Sequence, residues 1–294
     1  MRATAVDSVR ATWRLVRSPP APGPWNMGCD QALAEAVGSR TSRPVLRLYG
    51  WSAPTLSVGY GQALASRRLP LEALRRRGLD AVRRPTGGGA VLHDDELTYA
   101  AVFPASRATA AGGARRLCAR VHEAIARGLE ELGVEGLELA REAPRRLLAA
   151  GAGYGVGGGA PAAERAASHS GLPGAGWRPP SPAGACFAQT SPSELAWRGR
   201  KLVGSAQRRL AGAMLQHGSL PLAGERPELR ELWLDAPRPG EAATLRQAAG
   251  RAVDAREAAC ALRAGFEAVF DVALEPGSLT PAEQERAGLL ARER

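Results

Sequence analysis

The stretch GACFAQTSPSELAWRGRKLVGSAQRRLAGAMLQHGSL, residues 184–220, holds the chain's only lysine, Lys201, within a run of short extended segments. Residues 193–197 predict a strand, Arg198 and Gly199 a turn, residues 200–208 a second strand and residues 213–220 a third, which carries Gln216, His217 and Ser219. In the middle of that run Gly204, Ser205, Ala206 and Gln207 are small and polar. A packed core has no use for such a segment, so it predicts a ligand that comes close to the backbone.

Of the 39 Lys+Arg residues, all but Lys201 are arginine. Lysine is a compact point charge on a flexible stem with a tunable pKa, whereas arginine is a planar fork that stays charged. Lysine kept at one place predicts work on a small developing charge, an oxyanion or a phosphate; the plain alternative is a solvated surface cation. Cys186 lies fifteen residues upstream, after a Gly/Pro-rich run that excludes helix and interior strand. A loop thiol beside an ammonium is a candidate nucleophile. The alternative is a small buried hydrophobe.

A second stretch, RRPTGGGAVLHDDELTY, covers residues 83–99. A strand over 81–84, a turn over 85–89 and a return strand over 90–93 predict a hairpin, with a further strand over 96–103. Gly87, Gly88 and Gly89 let backbone amides converge on a ligand as in an anion nest, and Arg83 and Arg84 add positive charge. A bare turn is the alternative. His93 fits a site or a packed interior equally well.

Elsewhere the pattern predicts a strand over 13–16 and a helix over 26–37, with Met27, Leu33 and Val37 on one side and Asp30 off it. Residues 44–51 alternate, Leu46 and Leu48 against Arg47 and Tyr49, as a half-buried strand does. They would form a hairpin with a strand over 56–60. A short helix is expected over 70–77, and a strongly amphipathic one over 114–133, whose Cys118 and His122 read as structural. Residues 146–184 are Gly, Ala, Pro and Ser with no apolar pattern, which predicts a mobile loop. Helices are expected over 225–234, 241–249, 254–270 and 278–292. The fold class is α+β, with mixed, largely antiparallel sheets flanked by helices. A tail (1–12) precedes a catalytic domain (13–222), and a helical C-terminal extension (223–294) packs on it.

At 294 residues and 45% hydrophobic, the chain can bury a full core, and no run of eighteen apolar residues predicts a membrane span. A soluble cytoplasmic protein is expected. The four cysteines, at 29, 118, 186 and 260, are scattered without a CxxC pair, which argues against a metal or disulfide framework. The net charge of +10 is spread along the chain and aromatics are only 5%, which argues against nucleic acid. An acidic protein partner suits that charge better.

Residues 83–99 resemble the RRxTGG-AVxHDxELTY signature of the lipoate/biotin protein ligase superfamily, and residues 199–218 resemble its second signature around the active-site lysine. Residues 13–62 are similar to the superfamily's opening, and residues 274–280 to the LipM-type octanoyltransferase branch. The resemblance implies a lipoate/biotin ligase-like catalytic domain and, because Cys186 precedes the lysine motif, an octanoyltransferase. That enzyme would take the acyl group from octanoyl-acyl carrier protein as a cysteine thioester and give it to a lipoyl domain or the glycine-cleavage H protein, with no cofactor and no metal. Cys186 and Lys201 would be catalytic. Arg84, Thr86, Gly87, Gly88, Gly89, Ala90, His93, Gly204, Ser205, Ala206 and His217 would bind substrate. Lys201 would stabilise the oxyanion, lower the Cys186 pKa or accept the amine's proton. Two alternatives stay open: an ATP- and Mg-dependent lipoate ligase, to which the triple glycine also fits, and a non-catalytic relative that binds acyl groups or lipoyl domains.

Overall fold

The computed structural model describes residues 10–62, 74, 76, 78–105, 113–139, 194–224, 240 and 242–293. Its centre is a six-stranded sheet built from β1 (Ala11–Arg17), β2 (Val45–Tyr49), β6 (Glu96–Pro104), β10 (Gly204–Leu210), β11 (Ala213–Pro221) and β12 (Val272–Gly277). They run in the order β10-β11-β6-β2-β1-β12. The β10, β11, β6 and β2 pairings are antiparallel, whereas β1 is parallel to both β2 and β12. Two three-stranded sheets flank it. One orders β4 (Asp80–Arg83), β3 (Thr55–Val58) and β5 (Val91–His93) as β4-β3-β5, and the other runs β7 (Leu137–Leu139), β8 (Leu195–Trp197), β9 (Arg200–Lys201).

Each face of the large sheet buries its own set of side chains, as the two-residue period of a strand requires. On one face, Val45 and Tyr49 of β2, Ala100 and Val102 of β6 and Leu215 of β11 meet Met27, Leu33 and Val37 of α1 (Gly23–Gly38). On the other, Leu46, Leu48, Leu97, Tyr99, Phe103 and Met214 pack on α2 (Gly113–Glu131) and α4 (Ala255–Phe270). The stripe read from the sequence puts Val121, Ile125 and Leu129 of α2 into that core. A five-residue helix, α3 (Leu245–Ala249), is opened by a Thr244–Gln247 capping box. Asp254 caps α4 by accepting from the Glu257 amide, and a Thr280–Glu283 capping box opens α5 (Pro281–Arg292), which lies against α1. No helix among the described residues is long and apolar enough to cross a membrane.

The fold class is as expected, and four local readings change. First, β2 and β3 do not form a hairpin: they belong to different sheets. Second, β2 is buried along its whole length, because Arg47 has an internal partner. Third, residues 90–93 do not pair with residues 81–84. β3 lies between them, parallel to β4 and antiparallel to β5, so the glycine segment arches over β3. Fourth, residues 200–208 are two strands, with Leu202 and Val203 buried at the step from the small sheet to the large one.

The tail also holds a strand that a helical reading omits. β12 is the outer partner of β1, and Pro276 is tolerated because β12 is a sheet edge and needs no further donors. The expected loop over 146–184 and helix over 225–234 lie outside the described residues, as does most of the helix over 70–77.

A C-terminal strand inside the main sheet makes a specific demand on stability. Leu274 is 1% exposed, so Leu274→Ala is expected to cost about 2–5 kcal/mol in urea unfolding. Leu289, on α5 and 48% exposed, is the control, and Leu289→Ala is expected to change stability by less than about 0.5 kcal/mol.

Candidate active site

Two histidines, each held by a buried carboxylate, stand where α1, the large sheet and the β4-β3-β5 sheet meet. Asp30 points from α1 into the protein and is fully buried. Its Oδ1 accepts from Arg47 Nη1 at 2.7 Å, and its Oδ2 accepts from the Tyr49 hydroxyl at 2.8 Å and from His217 Nδ1 at 2.9 Å. Arg47 donates further to the Asn26 carbonyl and side-chain oxygens and to Ser18 Oγ, and its guanidinium lies 3.8 Å over the Tyr49 ring. With Nδ1 donating to Asp30, His217 Nε2 accepts from Thr86 Oγ1 at 2.6 Å. The helix is thereby tied through one carboxylate to β2, to β11 and to the glycine segment.

The second group is centred on Glu96 at the start of β6. His93 Nδ1 donates to Glu96 Oε1 at 2.8 Å, and its Nε2 faces Ser57 Oγ at 2.5 Å. The Trp51 ring stacks on His93 with centroids 4.0 Å apart and donates its indole N–H to Glu96 at 3.0 Å. Thr98 and Ser219 also donate to Glu96. The imidazole is thus fixed on its face and at both nitrogens.

Arg84 holds the glycine segment from inside. Nη1 donates to the Ser57 carbonyl and hydroxyl, and Nη2 to the Gly87 and Gly89 carbonyls at 3.1 and 2.7 Å. Of these glycines, Gly88 has φ +95°, a conformation that side chains avoid. Its carbonyl oxygen would lie 2.2 Å from a Cβ on Gly59, so that close crossing needs a glycine on the β3 side too. Arg84 serves first as the clamp that shapes this arch.

Arg84, His93, Ser205, Ala206 and His217 line one narrow slot, with Met27, Trp51 and Val91 as its apolar walls. Its volume is about 20 Å³, enough for a single water, so a larger ligand enters only when the walls part. Thr86, Gly87, Gly88 and Gly89 stand behind His217 and Arg84. Ala90 is buried beside them, and Gly204 pairs with Ser219 at the start of β10.

Lys201 stands on the opposite side, on β9. It is 1% exposed, and its Nζ lies 2.8 Å from Glu194. A tight turn at Arg198 and Gly199, both with positive φ, closes the β8–β9 hairpin. Its register pairs Ala196 with Lys201 and so puts Glu194, two residues before Ala196, on the lysine's face. Nearby, Ser205 Oγ bridges the Tyr99 hydroxyl and His122 Nε2, each at 2.6 Å. Cys186 lies outside the described residues.

Burial pushes the Cys29 and Cys118 thiols up to about 11, so both are protonated and unreactive at neutral pH. Cys260 is exposed on α4, where Arg17 contacts its sulfur. Among the described residues no group of His, Cys, Asp or Glu could hold a metal ion.

Sequence reasoning missed Asp30, Arg47, Trp51, Glu96 and Glu194. Asp30 had a signal: it lies three residues after Met27 and three before Leu33, on the buried stripe itself. Glu194 had one too, in the hairpin register. Trp51 reaches His93 only through tertiary structure, which no spacing shows, whereas Glu96 lies three residues from His93 across the β5–β6 connection and so had a local signal.

The pH dependence has one sign throughout. Burial lowers His217 below its ordinary 6.5, more than Asp30 raises it. Asp30 and Glu96 are raised by burial, but their hydrogen bonds and the neighbouring charges outweigh that and hold both below their ordinary 3.8 and 4.5. As pH falls below about 6.5 the unfolded chain takes up a proton at His217 before the folded one does, and stability is lost. The stabilisation from the two carboxylates is complete above their unfolded values and is lost at lower pH, as each falls through its folded value. The urea midpoint is therefore expected to decline between pH 7 and 5, and His217→Gln to flatten that decline. An equally steep decline in the variant would place the titration elsewhere.

Residues 22–267 match the family described as the Lipoyl protein ligase A/B catalytic domain. The chain is 36% identical over 293 residues to octanoyltransferase LipM of Kyrpidia tusciae, with 94% of this chain and 93% of that one covered. It is 30% identical over 284 residues to octanoyltransferase LipM of Bacillus subtilis, covering 93% and 92%. Among solved structures, a lipoate-protein ligase A bound with ATP superposes with a TM-score of 0.70 at 18% identity, over 96% of this chain and 95% of that one. A bipartite lipoate protein ligase from Thermoplasma acidophilum, studied with its E2 lipoyl domain, gives 0.65 at 17% identity over 97% and 93%.

Proposed function

This chain belongs to the lipoyl protein ligase A/B catalytic-domain family, and we propose that it transfers an octanoyl group from acyl carrier protein to a lipoyl domain through a thioester on Cys186. It is an octanoyltransferase of lipoate biosynthesis, and the observation that carries this is its near-full-length similarity to octanoyltransferases of the LipM type. The ligases share its fold at 18% identity or less, a likeness that speaks for architecture alone.

The mechanism has two balanced steps. The Cys186 thiolate attacks the carbonyl of the octanoyl thioester, and the carrier leaves as a thiolate that takes up a proton. The ε-amine of a lysine on the acceptor then attacks the acyl-enzyme, loses a proton and expels the Cys186 thiolate. Each step passes through a tetrahedral oxyanion, and a preorganised cation is worth most where water is excluded. Lys201 is such a cation, held by Glu194 in a buried place. Burial and the raised thiols of Cys29 and Cys118 speak against either of them as the nucleophile.

The apolar walls of the slot suit the alkyl chain once they part, and Arg84, which lines it, also holds the glycine arch behind. No nucleotide takes part, because the thioester already carries the activation that a ligase draws from ATP. The acceptor is a lipoyl domain or the related glycine-cleavage H protein, and an acidic acceptor would be drawn to a chain with a net charge of +10.

Intact-mass measurement after mixing with octanoyl-acyl carrier protein, without ATP, should show one octanoyl adduct that is absent in Cys186→Ala. Modification of a lipoyl domain only when octanoate and ATP are supplied would overturn the transferase in favour of a ligase. Lys201→Met is expected to lower the transfer rate by roughly 10²-fold or more in single-turnover assays. A rate within tenfold of wild type would remove Lys201 from the chemistry.

A further inference from the structure

A second space lies behind the slot. It is an open cleft of about 390 Å³ between the end of β1, the β5–β6 connection and the first turns of α4, with Leu48, Leu97 and Leu222 buried in it and Arg17, Asp95 and Arg256 exposed around it. Tyr49 and Trp51 line both the cleft and the slot, and so form the partition between them. Every other residue of the slot belongs to the slot alone.

The slot has a direction. Of the residues that line it, only Ser205 and Ala206 are not buried. Both lie on β10, an edge strand of the large sheet that leads back through Val203 and Leu202 to Lys201. The mouth, and with it the reactive head of a bound acyl group, therefore stands at β10, which has one neighbouring strand only and is the wall best able to yield. The tail then points across the slot to the partition.

The partition is held more firmly. The Trp51 indole N–H donates to Thr98 Oγ1 at 2.7 Å and to Glu96 at 3.0 Å, and its ring stacks on His93. Tyr49 donates to Asp30 and cannot be changed without disturbing that buried charge. Trp51 is thus the member of the partition that can be cut back with the Asp30–Arg47 pair intact.

We propose that Trp51 is the end wall that sets acyl length: it stops the tail of an octanoyl group inside the slot and keeps it out of the cleft behind. The inference rests on the octanoyltransferase reading above. A longer chain has to displace a side chain held by three contacts, whereas a shorter one leaves apolar wall uncovered. One methylene in an apolar pocket is worth roughly 10- to 200-fold in discrimination, so an end wall at this place is enough to select a chain length. The exposed charges around the cleft keep it wet, and the indole separates that water from the slot.

Trp51→Ala joins the two spaces. In calorimetric titration without ATP, wild-type protein is expected to bind octanoate more tightly than dodecanoate, and Trp51→Ala to raise the dodecanoate-to-octanoate affinity ratio roughly tenfold or more. The ratio of kcat/KM for dodecanoyl- over octanoyl-acyl carrier protein should rise with it. Ala255 is exposed on the first turn of α4 and lines the cleft, so Ala255→Trp fills the cleft from the far side. Alone it should leave the wild-type profile as it is, and in the Trp51→Ala background it should return the preference to the shorter chain. An unchanged ratio in Trp51→Ala overturns the proposal, as does an equal loss for both chain lengths, which would mark a structural role. A gain that Ala255→Trp does not reverse overturns it too, because the tail would then run elsewhere. If Trp51→Ala is not recovered folded, Trp51→Leu carries the same measurements, and failure of both to fold also overturns it. Wild-type protein that takes up no octanoyl group from the carrier sinks the transferase reading itself, whereas an acylated wild type beside a variant of unchanged ratio sinks only the end wall.

Discussion

The Asp30–Arg47 pair is the constraint from which the slot takes its shape. Both groups are withdrawn from water, a step that costs several kcal/mol per ion unless every lone pair and proton finds a partner. Here the partners are Asn26, Ser18, Tyr49 and His217, each from a different place in the chain. Because the charge is buried, none of them can drift without leaving an ion unpaired. The α1 helix, the β2 strand, the β11 strand and, through Thr86, the glycine segment are therefore fixed relative to one another by electrostatics rather than by apolar packing, which tolerates small slides far better.

The Glu96 group repeats the device with a different balance. Among the described residues no arginine bonds this carboxylate. Its charge is met by His93, Trp51, Thr98 and Ser219, donors that together orient one imidazole toward the slot. On the other side of the sheet, Lys201 and Glu194 form a third buried pair at the step between two sheets. Leu202 and Val203 fill that step, so the lysine is carried by packed backbone rather than by a surface loop. A group held this way needs no reorganisation when charge develops beside it, which is the condition for electrostatic help in an acyl transfer.

How much of this was legible in the sequence depends on the kind of contact. Local pattern gave α1, α2, β6 and β11 with small errors at their ends, the helices through their apolar stripes and the two strands as runs buried on both faces. It failed where one strand serves two masters. Arg47 in β2 reads as solvent-facing, and only its distant partner Asp30 turns it inward. The segment over 81–93 reads as a hairpin because its strands are neighbours in sequence, yet the short β3 slots between them with a parallel and an antiparallel bond pattern. The single lysine and the triple glycine were visible as composition. Their partners, Glu194 and Arg84, were visible as residues but not as partners, since a hairpin register and an arch over a strand had to be known first.

The strand that joins these parts is β11. Its odd-numbered His217 and Ser219 face Asp30 and Glu96, while Gln216 and Gly218 face Tyr99 and the α2 side. Side chains alternate along a strand with period two, so a slip of one residue would exchange the two sets and place both histidine networks and the lysine side in error at once. Register is set where β10 turns into β11, at Ala211 and Gly212, both with positive φ, which matches the tight two-residue turn that fits twisted strands. Ala211 adopts a conformation that a non-glycine residue takes only at some cost. That cost is borne in a turn whose far strand carries groups to both faces of the sheet, where a looser turn would leave neither face determined.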